Sequence, residues 1–248
     1  MEYLRYWSLR HPPFAAAPSF FYASTARRTV LAGVDSLVTR RIPLGVIAAP
    51  SGCGTTTLLK FLASSCGFGD SAAEVFLSCG RLFRSLRPAT VFATLLGLPP
   101  AEIRESIVAD SLQASAQQGV HTVWLIDDCG ESHVHALQEM ANSNRCLTII
   151  LAGDEKLAAT VKSGSKLILK PLGRQETREY IQQSLATAAQ DTNLFDEGAI
   201  KAIHQYADGR IKRTAELAAR ALELGCQLRL PAIRASHVAQ LMDRRRAA

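Results

Sequence analysis

Ala49-Pro-Ser-Gly-Cys-Gly-Thr-Thr-Thr57 is the stretch on which the reading of this chain turns. An apolar run, LGVIAA at Leu44–Ala49, leads into it, and an apolar segment, LLKFLAS, leads out. Short aliphatic runs suit strands covered on both faces, and the segment after the glycines suits a helix. Working outward, four more runs have the same character: Glu74–Cys79, Thr122–Ile126, Leu147–Ala152 and Lys166–Leu169. Helical patterns lie between them at Thr56–Ser64, Ala89–Leu96, Ala101–Gln118 and Val134–Asn142. Strands alternating with helices predict an α/β fold with a five-stranded parallel sheet.

The pattern changes after Pro171. No strand run follows, and helices are expected over 174–189, 196–207, 212–225 and 236–245. Asp196 and Ser236 are the expected N-caps, each offering a side-chain oxygen to free backbone N–H groups. Gly209 and Gly225 are the expected stops. The joint falls near Leu172–Gly173. The first 28 residues, with Pro12, Pro13 and Pro18, read as an irregular lead-in.

Composition narrows the class. The chain has 48% hydrophobic and 20% charged residues over 248 positions, which excludes wholesale disorder. Lys plus Arg is 28 against 22 for Asp plus Glu, and this excess of +6 does not by itself establish nucleic-acid binding. Aromatics at 6% argue against stacking-based recognition of single strands. No apolar run reaches the roughly 18–20 residues that span a bilayer, and MEYLRYWSLRHPPF lacks the order of a signal peptide. A cytoplasmic globular protein is expected. Cys53, Cys66, Cys79, Cys129, Cys146 and Cys226 form no C-x-x-C pair, and most sit in or beside apolar runs. They read as buried, reduced thiols.

The opening stretch has the form of a phosphate cradle. Its pattern approximates G-x-x-x-x-G-K-[ST], with Ala49 at the first glycine and Gly54 at the second. Glycines let the backbone curl so that N–H groups point inward, and the positive end of the next helix adds to them. Pro50, Ser51, Gly52, Cys53, Gly54, Thr55, Thr56 and Thr57 are the expected nucleotide-binding residues. Thr56 would supply a hydroxyl to Mg²⁺. Thr55 stands where a lysine normally reaches the β and γ phosphates, and it is short and uncharged. Val123-Trp-Leu-Ile-Asp-Asp128 then places two carboxylates at a strand end. Asp127 is the expected Mg²⁺ partner, and Asp128 holds the place of the acid that polarises attacking water.

With both motifs on the page, the chain resembles the AAA+ ATPases. More narrowly it resembles the ExeA/GspA-type secretion ATPases, whose relatives include the TnsC and MuB transposition regulators. The resemblance covers nearly all of the sequence. Trp7-Ser-Leu, Pro13-Phe14, Pro18, Phe20-Phe21-Tyr22 and Ser24 are similar to the family's opening segment. Gly153-Asp154-Glu155-Lys156-Leu157 resembles its sensor-1 loop. Leu169-Lys-Pro-Leu172, Glu176-Thr177 and Tyr180-Ile181 resemble its entry into a helical lid. Phe195, Ala199-Ile200, Ile203-His204, Gly209, Arg213, Leu217 and Arg220-Ala221-Leu222 resemble the lid helices.

That resemblance implies a three-layer αβα P-loop core followed by a small all-helical lid. It implies residues 1–28 as a lead-in packing near the nucleotide, 29–172 as the core and 173–248 as the lid. It implies ATP or ADP with Mg²⁺, a homo-oligomer, and Asp127, Asp128, Asp154, Lys162, Lys212 and Arg213 as catalytic positions. Lys162 falls where the family carries an arginine finger. Gly209-Arg-Ile-Lys212, followed by Arg213, falls on its sensor-2 motif G-x-P-R. Four charged parts are therefore altered: Thr55, Asp128, Lys162 and Lys212. An arginine finger contributes about 10³–10⁵ in rate, so hydrolysis is expected to be weak or impaired while binding survives. Three readings stay open: a weak ATPase regulating assembly of a secretion or envelope system, a non-hydrolysing nucleotide-dependent scaffold, and a DNA-binding transposition-type regulator.

Other residues have plainer readings. Lys60 is expected to point away from the phosphates, whereas Arg81, Arg84 and Arg87 follow a strand and are placed to approach them from a loop. His121, His133, His135, His204 and His237 are scattered, and His133-Val-His135 reads as surface rather than as a metal pair with Glu131. Arg244-Arg-Arg246 reads as a solvated helix end, complementing the helix dipole.

Overall fold

The structure, a computed structural model, describes residues 2–15, 21–64, 67–69, 71–98, 105–189 and 193–246. Pro18, Phe20, Cys66, residues 101–104 of the expected third helix and the side chains of Arg244-Arg-Arg246 lie outside the described residues. The chain divides into two compact units. The sheet unit holds Thr25–Pro50 and Thr55–Lys170; the helical unit holds Met1–Ser24, Ser51–Gly54 and Pro171–Ala248.

In chain order the elements begin with α1 (Glu2–Tyr6), α2 (Thr25–Thr39), β1 (Leu44–Ala48), α3 (Thr55–Ala63), β2 (Gly67–Phe68) and β3 (Ser71–Cys79). A 3₁₀ turn, Gly80–Arg84, leads to α4 (Pro88–Leu95), α5 (Glu105–Gln117), β4 (His121–Asp127), α6 (Val134–Ser143) and β5 (Leu147–Gly153). Then come α7 (Glu155–Thr160), β6 (Ser165–Ile168), α8 (Arg174–Ala188), α9 (Glu197–Ala207), α10 (Ile211–Gln227) and α11 (Ala235–Arg246).

The sheet order is β2-β3-β4-β5-β1-β6. Its five longer strands are parallel, as the alternation of strand and helix requires, with β1 between β5 (Val46↔Leu151) and β6 (Val46↔Lys166). The short β2 is antiparallel to β3 and was not expected, because two residues carry no periodicity. Every residue of β1 is buried, and so is β4 from His121 to Ile126. That two-sided burial is why their sequences are continuous apolar runs. Phe92 of α4 stacks on Trp124 at 4.6 Å, and the Trp124 indole N–H donates to Ser78 Oγ at 2.9 Å. The last strand departs from the two-sided expectation. β6 is an edge with alternating burial, and Ile168 is 61% exposed.

In the helical unit the lead-in is not irregular throughout. It forms α1 and then supplies Trp7, Leu9, Phe14 and Tyr22 to the same core as α8, α9, α10 and α11. The lead-in also ends sooner than expected, since α2 begins at Thr25. The Trp7 indole N–H donates to the Leu222 carbonyl at 2.8 Å. The expected stop at Gly225 is a correction: Gly225 lies inside α10, and a Cβ there would stand 2.6 Å from Trp7 Cζ2. The glycine marks a close approach, not a helix end. Gly209 does follow the end of α9, after Asp208 in the left-handed region. Asp196 caps α9, accepting from Ala199 N at 2.6 Å. Ser236 is no cap, because α11 begins one residue earlier; His237 Nδ1 instead accepts from Arg234 N at 3.0 Å.

Among the described residues no helix is long and apolar enough to cross a membrane. The five described cysteines carry thiols outside any disulfide, with Cys53 and Cys129 buried. Burial, helped by Asp128, pushes the Cys129 thiol up to about 12, so it is no nucleophile at neutral pH.

Candidate functional site: a glycine loop, a hydroxyl–carboxylate pair and a basic cavity

β1 ends in the middle of the sheet, and Ala49 N still donates to the Gly153 carbonyl at 2.9 Å. The chain then turns. Gly52 and Gly54 take φ of +85° and +86°, conformations that cost an L side chain about 1–2 kcal/mol, and α3 starts at Thr55. Residues 50–57 thus form a strand-to-helix loop with the curl and helix N-terminus that anions use. The loop is divided between the units: Ser51–Gly54 belong to the helical unit, Pro50 and Thr55 onward to the sheet unit.

In the sheet unit, Thr56 Oγ1 donates to Asp127 Oδ2 at 2.6 Å. Asp127 is the last residue of β4, so the pair joins the start of α3 to the strand end. A hydroxyl and a carboxylate side by side are the hard oxygen donors that Mg²⁺ prefers. Asp127 Oδ1 also accepts from Asp128 N at 3.0 Å. Asp128 takes φ +52°, a strained setting for an aspartate, and its Oδ2 lies 2.5 Å from Arg81 Nε. That hydrogen bond, with the Coulomb attraction of Asp128 behind it, raises the Arg81 pKa above its ordinary value. The expected water-polarising acid is therefore held by a guanidinium.

The other expected positions are dispersed. Asp154 caps α7, its Oδ1 accepting from Leu157 N at 3.0 Å. Lys162 is exposed in the loop between α7 and β6. Thr55, at the lysine position, is half-buried at the start of α3. His133 packs edge-on against Phe83, and His135 Nδ1 lies 3.3 Å from Glu139. No group of three metal-ligating side chains gathers among the described residues.

In the helical unit, Lys212 N donates to the Gly52 carbonyl at 3.0 Å, which ties the glycine loop to the first turn of α10. A cavity of about 590 Å³ opens there, lined by Ser51, Gly52, Arg210, Lys212, Arg213, Glu216 and Met242. The Nε atoms of Arg210 and Arg213 are buried without a hydrogen-bond partner. Two cationic side chains in the first turn oppose the helix dipole unless an anion offsets them. A bound anion would satisfy those two Nε donors, while another Arg210 nitrogen lies 3.8 Å from Asp208 Oδ2. Sequence reasoning named Lys212 and Arg213 but not Arg210, although Arg210 is the second residue of the same Gly209-Arg-Ile-Lys212 stretch.

A nucleotide with its divalent cation is therefore compatible with the residues present. In the sheet unit Thr56 and Asp127 pair as hard donors suited to the cation; in the helical unit, taken by itself, Gly52 and basic side chains line a cavity of ligand size. The lysine that would complete the loop is absent.

No family model and no curated protein matches the chain. Solved structures do. The Aeropyrum pernix ORC1 protein in complex with DNA aligns over 88% of this chain and 65% of its own, at TM-score 0.61 and 14% identity. The Aeropyrum pernix ORC2 protein in its ADPNP-ADP complexes aligns over 93% and 70%, at TM-score 0.55 and 13% identity. A Thermotoga maritima RuvB mutant aligns over 95% and 73%, at TM-score 0.56 and 16% identity. The chain thus spans about two thirds of the length of the first of these, and at such identities the likeness bears on fold alone. The fold is the αβα P-loop fold of AAA+ proteins with a C-terminal helical domain.

Proposed function

We propose that this chain binds ATP or ADP with Mg²⁺ on residues 50–57 and hydrolyses ATP weakly, acting as an assembly regulator of the secretion or envelope type. The observation that carries the reading is the Thr56–Asp127 pair at 2.6 Å, where Thr56 follows two left-handed glycines closely in the chain. Thr56 and Asp127 would hold the cation, which supplies charge neutralisation to the phosphates when bound. Backbone N–H groups of the loop would hold phosphate oxygens, and the family resemblance gives Lys212 and Arg213 as the sensor-2 positions. Asp154 would orient the sensor-1 loop through its cap on α7.

Weak turnover follows from the same residues. Catalysis of phosphoryl transfer rests on charges aimed at the transferring group. Thr55 has none, Asp128 is engaged by Arg81, and Lys162 cannot make the planar two-point contact of an arginine finger. The family resemblance supports a cytoplasmic homo-oligomer in which Lys162 faces a neighbour's site. Calorimetry with ATP and ADP, with and without Mg²⁺, tests the reading. Wild type should bind with Mg²⁺, Asp127→Ala should lose the Mg²⁺ dependence, and Thr55→Lys should bind more tightly. Absence of binding in all three proteins overturns it.

A DNA-binding regulator is the second reading, favoured by the ORC1 likeness and the +6 charge. Each phosphate neutralised on a duplex steepens the salt dependence of binding, so a flat salt profile would count against it.

A further inference from the structure

We infer that Arg81 is the phosphate-binding cation of the sheet unit, supplying from the end of β3 the positive charge that Thr55 does not supply from the glycine loop. The inference rests on the nucleotide reading above and names a residue for it.

Backbone geometry puts Arg81 where such a charge is needed. In the sheet register Cys79 is the partner of Asp127, so the chain leaves β3 beside the acid that pairs with Thr56. The next residue is Gly80, where a Cβ would stand 2.7 Å from both the Asp128 carbonyl oxygen and Cys129 Cα. No other residue type lets the 3₁₀ turn lie so close to the acid pair. Arg81 follows at once, and its Nε reaches Asp128 Oδ2 at 2.5 Å. A continuous line of polar contacts therefore runs from Arg81 through Asp128 and Asp127 to Thr56, the residue after Thr55.

The charge balance points the same way. Two adjacent carboxylates at the end of β4 repel a phosphate, and the loop offers no side-chain cation of its own. Arg81 is the basic side chain in contact with that pair. Its side chain is 72% exposed, so exchanging the Asp128 contact for a phosphate contact would leave the core undisturbed. A guanidinium is also the cation best matched to phosphate, since its fork makes two parallel N–H···O bonds. Nε engages one carboxylate oxygen, and Arg81 carries further N–H donors on the guanidinium.

The experiment is a double-mutant cycle on Mg·ATP affinity, read by calorimetry on Arg81→Gln, Arg81→Lys, Asp128→Asn and the Arg81→Gln/Asp128→Asn pair. Thermal melts establish that each protein is folded. Loss of a charged contact to phosphate should weaken Arg81→Gln roughly 10- to 100-fold, with Arg81→Lys intermediate. The double variant should stay weak, because its phosphate ligand is gone whatever Asp128 carries. If Arg81→Gln binds like wild type, the inference is overturned and the nucleotide reading stands. If the double variant recovers wild-type affinity, Arg81 only neutralises Asp128 and the inference is likewise overturned. If wild type binds no nucleotide, the nucleotide reading itself fails.

Discussion

His121 shows how much a single buried side chain ties stability to acidity. It is the first residue of β4, and its Nε2 lies 2.9 Å from Thr148 Oγ1. The Thr148 hydroxyl donates its one proton to the Ile42 carbonyl at 3.0 Å, so Nε2 of His121 carries the hydrogen. Burial, and secondarily Arg41, lower its pKa below the ordinary 6.5. The unfolded chain then binds a proton more readily than the folded one. Stability contributed by neutral His121 is full above the ordinary imidazole pKa and is lost as pH falls through it. Urea midpoints at pH 7.5 and pH 5 should show wild type losing stability, and His121→Gln should lose less; equal losses would refute the assignment. At this same scale the acid pair and the loop were legible, because Thr56 and Asp127 lie in short local motifs. Arg81 and Asp128 were not legible as partners. They are 47 residues apart, and only the register between β3 and β4 makes them neighbours.

At the scale of elements, the strands were readable because a strand buried on both faces leaves no polar position to confuse the run. α2 was not, since buried Arg27 interrupts its apolar face and the prolines before it suggested irregular chain. α7 has six residues, too few for a period to show. Of the caps, Asp196 was readable from its place before a clear helical period, whereas Asp154 before the six-residue α7 and His237 at the start of α11 were not. Asp196→Ala should cost about 1 kcal/mol, the ordinary worth of an N-cap. Ser236→Ala should change the melt by nothing measurable, while His237→Ala should destabilise α11, as its ring holds Arg234 N. Chemical denaturation of the three variants separates these outcomes.

For the molecule as a whole, the helical unit depends on the start of the chain. Trp7, Leu9, Phe14 and Tyr22 are buried in its core, and the Tyr22 hydroxyl donates to Glu179 at 3.0 Å. Truncating one such aromatic costs about 3–5 kcal/mol, and a domain has only about 5–15 kcal/mol in hand. A protein lacking residues 1–24 should therefore lose near-ultraviolet dichroism from the helical unit and aggregate. A sharp wild-type melt from that truncated protein would contradict this. The sequence motifs that named the lead-in placed it by resemblance near a ligand. Its partnership with α10 could not be read, because Gly225 looks like a helix stop until Trp7 is seen lying against it.

That divided construction also sets a timetable. A ribosome delivers Trp7, Leu9 and Phe14 before the sheet unit and the α8–α11 segment after it. At about 5–20 residues per second, the aromatic segment waits on the order of ten to forty seconds for the surface that shelters it. During that interval its aromatic side chains lack their core partners, and such exposed apolar surface is what chaperones hold.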